Sequence, residues 1–125
     1  MTNRILGAIP VLPITDSVRS REFYCDRLGF THEWTYRPHE DRADPAYMGL
    51  QWDDAFLHLS SFSGDGQQKT VVVLAVADVD ALHRFLVERG TAVALEPTDQ
   101  SWGTRELYVE DPDGNSVRFV QAKAA

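Results

Sequence analysis

Apolar and polar residues alternate along two short segments near the carboxyl end of the chain, residues 105–110 and 116–121. A period of two is typical of strands that bury one face. The segment between them reads Asp-Pro-Asp-Gly-Asn, in which Pro112 presets a turn angle and Gly114 tolerates a positive φ. The pattern therefore predicts a β-hairpin.

The chain also contains an internal repeat. Residues 11–27 (VLPITDSVRSREFYCDR) align with residues 73–89 (VLAVADVDALHRFLVER) at an offset of 62, half of the 125 residues. The identical pairs are Val11 and Val73, Leu12 and Leu74, Asp16 and Asp78, Phe23 and Phe85, and Arg27 and Arg89. We interpret this as two copies of one unit, approximately residues 1–64 and 65–125, within a single domain.

Each unit has the same predicted order of elements. An apolar strand precedes an aspartate that can cap a helix, and the two helices end at Gly29 and Gly90, residues that tolerate left-handed φ. The predicted first strands and helices are 9–14 and 17–28, then 70–76 and 79–89. The later strands are 31–36, 46–52 and 55–62, then 92–95, 105–110 and 116–121. The predicted fold is α+β, with two βαβββ modules in tandem forming a curved mixed β-sheet with a concave cleft.

Composition narrows the possible partners. The net charge of −7 disfavours nucleic acid, because phosphate binding needs clustered Lys and Arg. The longest apolar run, residues 71–77, is too short to cross a membrane. The first eleven residues lack the design of a signal peptide, so we expect a cytoplasmic protein. A single cysteine, Cys25, excludes an internal disulfide and a cysteine-rich zinc site.

Three segments resemble a known family: IPVLPITDSVRSREFYCDRLGF, VADVDALHRFLVERG and QSWGTRELYVEDPDGNSVRF. They span nearly the whole chain and resemble the vicinal oxygen chelate superfamily, which contains glyoxalase I, extradiol dioxygenases, fosfomycin-resistance enzymes and bleomycin-resistance proteins. The Trp-Gly pair before Asp-Pro-Asp-Gly-Asn and the opening IPVLPITD, with Pro10, look most similar to the bleomycin-resistance branch. In that branch the proline-bearing N-terminal strand is associated with exchange between two subunits. The resemblance therefore implies a homodimer, with exchange of this strand as a further expectation.

The resemblance also marks four positions where enzymes of the superfamily hold a divalent metal with His or Glu. In this chain they are Ile9, His58, Val71 and Arg118. Ile and Val have no donor atom, and arginine stays protonated and repels cations. One imidazole falls short of the roughly three protein ligands that a catalytic metal needs. We therefore expect no metal, no cofactor and no catalytic residue.

Aromatic residues are the main candidates for ligand binding. Trp102 lies in a polar loop before a strand, where an indole can stack on a planar or cationic group for about 0.5–2 kcal/mol. Trp34 and Tyr36 share one strand face at period two, although such pairs also serve as core contacts. Arg118 either faces the cleft or pairs with an acid such as Glu106 or Glu33. The predicted ligand-binding residues are Trp34, Tyr36, Tyr47, His58, Trp102, Gly103 and Arg118.

Three functions remain open at this point. The leading hypothesis is a non-catalytic protein that sequesters a planar or cationic antibiotic-like small molecule, with bleomycin-like compounds among the candidates, in aromatic-lined grooves at a dimer interface. The alternative is a metal-dependent lyase, isomerase or dioxygenase of the glyoxalase superfamily. That enzyme would have to hold its metal with a different set of side chains, His32, His39, His58 and Glu106. The third possibility is a module that binds a metabolite or a partner protein.

Overall fold

A computed structural model describes residues 3–123. The predicted units 1–64 and 65–125 therefore each have two terminal residues, 1–2 and 124–125, outside the described part. The elements are β1 (Val11–Pro13), α1 (Ser17–Arg21) continued by a π-helical segment (Glu22–Arg27), β2 (Thr31–Tyr36), β3 (Tyr47–Trp52), β4 (Ala55–Ser60), β5 (Val71–Ala75), α2 (Val79–Glu88), β6 (Leu95–Asp99), β7 (Thr104–Glu110) and β8 (Ser116–Ala122). The predicted α+β class and the repeated βαβββ order are confirmed.

The strands form two four-stranded mixed sheets with the same topology. Their orders are β1-β4-β3-β2 and β5-β8-β7-β6. In each sheet the first strand of the unit runs parallel to the last, and the other neighbours are antiparallel. The register places Val11 beside His58 and Val73 beside Arg118. Since Val11 and Val73 are equivalent in the repeat, His58 and Arg118 occupy equivalent positions in the two sheets.

The helix caps follow the sequence prediction in part. The carboxylate of Asp16 accepts a hydrogen bond from the backbone N–H of Arg19, and that of Asp78 accepts one from Ala81, both at 3.0 Å. Gly90 has a φ of 73° at the end of α2, as predicted. The first helical segment reaches its C-cap, Leu28, directly before Gly29, as predicted, but Gly29 does not adopt the positive φ expected of it. Its missing side chain instead makes room for Trp52, because a Cβ atom there would lie 2.7 Å from the indole ring.

Other boundaries also differ from the prediction. The first strand is β1, Val11–Pro13, rather than 9–14, so Ile9 lies outside it, and β4 ends at Ser60 rather than at residue 62. The first helix is not one regular α-helix, because the backbone widens after Arg21 and the Leu28 N–H donates to the carbonyl of Phe23, five residues back. The strand predicted at 92–95 is β6, Leu95–Asp99. Pro97 is tolerated there because β6 is an edge strand and its register shifts between Leu95 and Thr98.

One hydrophobic core joins the two units. Its largest fully buried side chains include Tyr24, Leu28, Met48, Leu57, Leu86, Leu107 and Phe119. The ends of the two helical segments meet through the repeat-related arginines. Arg27 Nη1 donates to the carbonyl of Arg89 at 3.3 Å, and the Arg89 guanidinium donates to the carbonyls of Cys25 and Asp26 at 3.0 and 2.9 Å. No helix among residues 3–123 is long and apolar enough to cross a lipid bilayer.

The predicted Asp-Pro-Asp-Gly-Asn hairpin turn also connects the two units. The buried Asp111 carboxylate accepts hydrogen bonds from the Tyr24 hydroxyl and from Asn115 Nδ2, both at 2.8 Å. Asn115 Nδ2 also donates to the Pro13 carbonyl at 2.8 Å, and Thr15 donates to Asp113. Burial, and then the charge of Asp111, raises the pKa of Tyr24 well above its usual value, so its hydroxyl stays a donor.

We expect Tyr24→Phe to lower the free energy of unfolding by about 1.5–3 kcal/mol, because it removes a buried hydrogen bond to a charged group. Urea denaturation followed by far-UV circular dichroism measures the change. Tyr36→Phe is the matched control, because Tyr36 is exposed. Equal stability of the two variants would show that the Tyr24 hydroxyl contributes nothing to the link between the units.

Candidate ligand-binding site

A row of side chains crosses the first sheet on the face turned away from the core. The register makes Val11, His58, Gly49 and Trp34 neighbours across β1, β4, β3 and β2. Leu57, next to His58 in β4, is fully buried, so His58 projects from the opposite face. The period of two in each strand thus brings distant residues onto one outward face.

Trp34, Tyr47, Gly49 and His58 form the first cluster, which we call the Trp34 cluster. The Trp34 and Tyr47 rings are stacked at 5.8 Å with an interplanar angle of 6°, and the Trp34 ring meets His58 edge-on at 5.1 Å. The Tyr47 hydroxyl and His58 Nδ1 are hydrogen-bonded at 2.9 Å. Trp34 lies directly over Gly49, where a Cβ atom would be 2.4 Å from the indole.

Partial burial keeps the titratable members of the Trp34 cluster neutral. It lowers the pKa of His58 and raises the pKa of Tyr47. At neutral pH the cluster therefore presents two flat rings and an uncharged imidazole. Tyr36, which was also predicted to bind ligand, stacks on Phe62 at 6.2 Å and lies beside this cluster.

Trp102, Thr104, Glu106, Tyr108 and Arg118 form the second group, the Trp102 cluster, on the outward face of the second sheet. Trp102 precedes Gly103 in the tight turn between β6 and β7. The turn is closed by a hydrogen bond from Gly103 N to the Gln100 carbonyl at 3.1 Å, and Gly103 has a φ of 99°. The Trp102 side chain is 68% exposed.

Glu106 is the buried centre of the Trp102 cluster, with 6% exposure. Its Oε2 accepts hydrogen bonds from Thr104 Oγ1 at 2.5 Å and from the indole Nε1 of Trp102 at 3.1 Å. Its Oε1 accepts one from the Tyr108 hydroxyl at 2.5 Å. These bonds, led by that of Thr104, lower the pKa of Glu106, and the same carboxylate raises the pKa of Tyr108. Glu106 is therefore ionised at neutral pH.

Arg118 lies against Tyr108. Its guanidinium carbon is 4.6 Å from the centre of the Tyr108 ring, and its Nε donates to Ser116 Oγ at 3.2 Å. Among residues 3–123 no carboxylate lies within 4.0 Å of this guanidinium, so Arg118 makes an ion pair with neither Glu106 nor Glu33. Arg118 instead contacts the Tyr108 ring, and after the hydrogen bonds to Glu106 its charge adds to the lowering of the pKa of that carboxyl group.

The residues present do not fit a divalent metal. Ile9 and Val71 offer only exposed aliphatic carbon, and Arg118 offers a cation. Across residues 3–123 there is no group of three or more His, Cys, Asp or Glu side chains that could hold a metal ion. The enzyme alternative would also recruit His32 and Glu106. His32 is hydrogen-bonded to Thr35. Glu106 is hydrogen-bonded within the Trp102 cluster.

The predicted residues thus fall into two clusters on separate sheets. No ring contact or hydrogen bond in the described part of the chain joins the Trp34 cluster to the Trp102 cluster. A groove of about 1020 Å³ lies elsewhere, between the N-terminal residues 6–10, the β3–β4 turn and β5, and none of the predicted aromatic residues lines it. A single chain therefore does not enclose the predicted site.

Sequence reasoning missed three members of these clusters, Gly49, Thr104 and Tyr108, and considered Glu106 only as an acid beside Arg118 or as a metal ligand. Gly49 has a signal of its own, because a glycine inside a strand often marks a close approach by another group. Tyr108 follows Thr104 and Glu106 at a spacing of two, which places all three on one face of β7.

Comparison with known proteins agrees with this geometry. Residues 3–125 match a family model described as "Glyoxalase superfamily protein". The bleomycin resistance protein of Geobacillus stearothermophilus is 29% identical, over 94% of this chain and 97% of that protein. The bleomycin-binding protein of Streptomyces verticillus, solved with copper(II)-bleomycin, is 27% identical with a TM-score of 0.71, covering 99% of this chain and all of that one. TnmS3, an antibiotic-binding protein from Streptomyces sp. CB03234, is 25% identical with a TM-score of 0.73, covering 96% of this chain and all of that one. Together with the repeated βαβββ units, the family match shows that this chain belongs to the glyoxalase superfamily.

Proposed function

We propose that this protein binds and sequesters a planar or cationic antibiotic-like molecule without breaking a bond in it, in aromatic-lined grooves where two copies of the chain meet. The two repeat units act together as one ligand-binding domain. The observation that carries the proposal is the absence of metal-binding side chains at Ile9, Val71 and Arg118, in a chain whose outward sheet faces carry exposed aromatic rings.

The clusters are suited to holding a ring rather than to transforming it. Aromatic pairs contribute about 0.5–1.5 kcal/mol each beyond the area they bury, and Trp34 and Trp102 both have exposed ring surface. The polar groups nearby are already engaged. His58 is bonded to Tyr47, and both carboxylate oxygens of Glu106 accept hydrogen bonds. The Glu106 carboxylate is therefore held as a hydrogen-bond acceptor inside its own cluster.

Charge and similarity narrow the ligand class. The net charge of −7 favours cationic molecules near the surface, and the positive charge of Arg118 is offset by the ionised Glu106 of the same cluster. The bleomycin-binding protein of Streptomyces verticillus, which is similar to 99% of this chain, was solved with copper(II)-bleomycin. Bleomycin is therefore the first ligand to test.

Exposed apolar surface supports a dimer. Residues 3–10 belong to no strand, and Ile5 and Leu6 are 91% and 89% exposed. The outward sheet faces add Phe56 and Val73, and β1 and β5 each have one unpaired edge. Apolar surface in this arrangement is what subunit interfaces cover. We infer that the N-terminal segment pairs with a second copy and that the two sheet faces close the groove between copies.

Isothermal titration with metal-free bleomycin and with copper(II)-bleomycin tests the ligand. We expect saturable binding, weakened about 5- to 30-fold by Trp34→Ala or Trp102→Ala, which corresponds to roughly 1–2 kcal/mol of lost stacking. Val87→Ala, on the exposed face of α2, should leave the dissociation constant unchanged.

No heat with either form of bleomycin at micromolar protein would exclude this drug as the ligand. Metal analysis of protein purified without chelator tests the absence of catalysis. About one Ni, Zn, Mn or Fe per chain, with turnover lost when the metal is removed, would overturn the proposal.

Sedimentation velocity tests the dimer. The double substitution of Ile5→Asp and Leu6→Asp places charges in the proposed interface, so we expect a dimer for the unmodified chain and a monomer for the variant. Val87→Asp introduces a charge on an exposed valine of α2 and should remain dimeric. A monomeric unmodified chain at micromolar concentration would contradict the proposal.

A further inference from the structure

The ionised carboxylate of Glu106 is an unusual group on an aromatic and apolar face. A carboxylate is costly to bury unless donors replace its water, and here three side chains of one cluster supply them. The fold itself does not require an acid at this place. Glu106 pairs with Val120 as Tyr47 pairs with Ser60 in the first sheet, so the equivalent position of the repeat holds a tyrosine.

The indole of Trp102 depends on this carboxylate for its orientation. The ring lies on a tight turn and is largely exposed, and its hydrogen bond from Nε1 to Glu106 Oε2 ties it to the sheet. An unrestrained side chain on such a turn would occupy several rotamers and would lose that freedom when a ligand binds. Because the hydrogen bond already restricts the indole in the free protein, less side-chain entropy is lost when a ligand binds.

The charge of Glu106 is not cancelled by a direct ion pair. Within residues 3–123 no Lys, Arg or His nitrogen lies within 4.0 Å of its oxygens, and its three donors are neutral. An N–H that donates to an anion is polarised, which raises the electron density of the attached ring. Arg118 already covers Tyr108, which leaves Trp102 as the exposed ring of this cluster.

We propose that Glu106 is a positioning residue of the ligand site, which holds the Trp102 indole in one orientation and makes its exposed face a platform for an electron-poor or cationic planar ring. The part that concerns the ligand rests on the proposed function. The part that concerns the indole is a property of the protein alone. The two parts are tested separately.

The first test needs no ligand. In ¹⁵N-labelled protein, the indole N–H resonance of Trp102 is assigned by its loss in Trp102→Phe. We expect Glu106→Gln to move this resonance upfield and to speed its exchange with solvent, because the carboxylate acceptor is lost. Glu110→Gln, on the exposed end of the same strand, should leave it in place. An unchanged Trp102 resonance in folded Glu106→Gln, with its thermal melting transition retained, would overturn the proposal.

The second test is a double-mutant cycle titrated with copper(II)-bleomycin. We expect Glu106→Gln to weaken binding about 3- to 10-fold in the unmodified chain and to have little further effect in Trp102→Phe, because Glu106 acts through the indole N–H. Thr104→Val, which removes a donor to the same oxygen, should produce a smaller loss. Independent, additive effects of the Glu106 and Trp102 substitutions would contradict a positioning role. If the unmodified chain does not bind this complex, the proposed ligand fails while the resonance test still decides the role of Glu106.

Discussion

The buried Asp111 carboxylate is the interaction on which the arrangement of the two units depends. It lies in the last hairpin turn, and its bonds to Tyr24 and Asn115 tie that turn to the first helical segment and the first strand. A buried anion is tolerated only when its oxygens are satisfied, so this contact admits few alternative packings of the two halves. With the halves fixed in this way, the outward faces of both sheets leave Trp34 and Trp102 exposed.

Duplication has produced two equivalent faces with different chemistry. The position of His58 in the first sheet corresponds to that of Arg118 in the second, and that of Tyr47 corresponds to Glu106. The first face is neutral and aromatic, whereas the second combines a carboxylate, a guanidinium and an exposed indole. A ligand held between them would meet a stacking surface on one side and a polarised ring on the other.

Under the proposed function, the separation of these faces within one chain gives a second copy its role. The Trp34 and Trp102 clusters share no contact in the described part of the chain, and the extended residues 3–10 leave apolar side chains exposed. Under the proposed function, pairing of two chains covers this apolar surface and creates a groove in the same step. The absence of donor atoms at Ile9 and Val71 then affects chemistry and not folding, because Ile9 lies outside the strands and Val71 pairs with β8 through its backbone.

Local patterning was sufficient to predict the repeat, the α+β class, both N-caps and most strands, because period, capping and turn formation depend on near neighbours in the chain. It misjudged the φ of Gly29, where the missing side chain makes room for the Trp52 indole, and the bounds of β6, which is an edge strand. The sequence also singled out Trp34, Tyr47, His58, Trp102 and Arg118, but not Gly49, Thr104 or Tyr108 beside them. Only the packed sheets bring Gly49 under Trp34 and Glu106 under Trp102, because strand register joins residues that are distant along the chain and a turn aims the indole back onto its own strand.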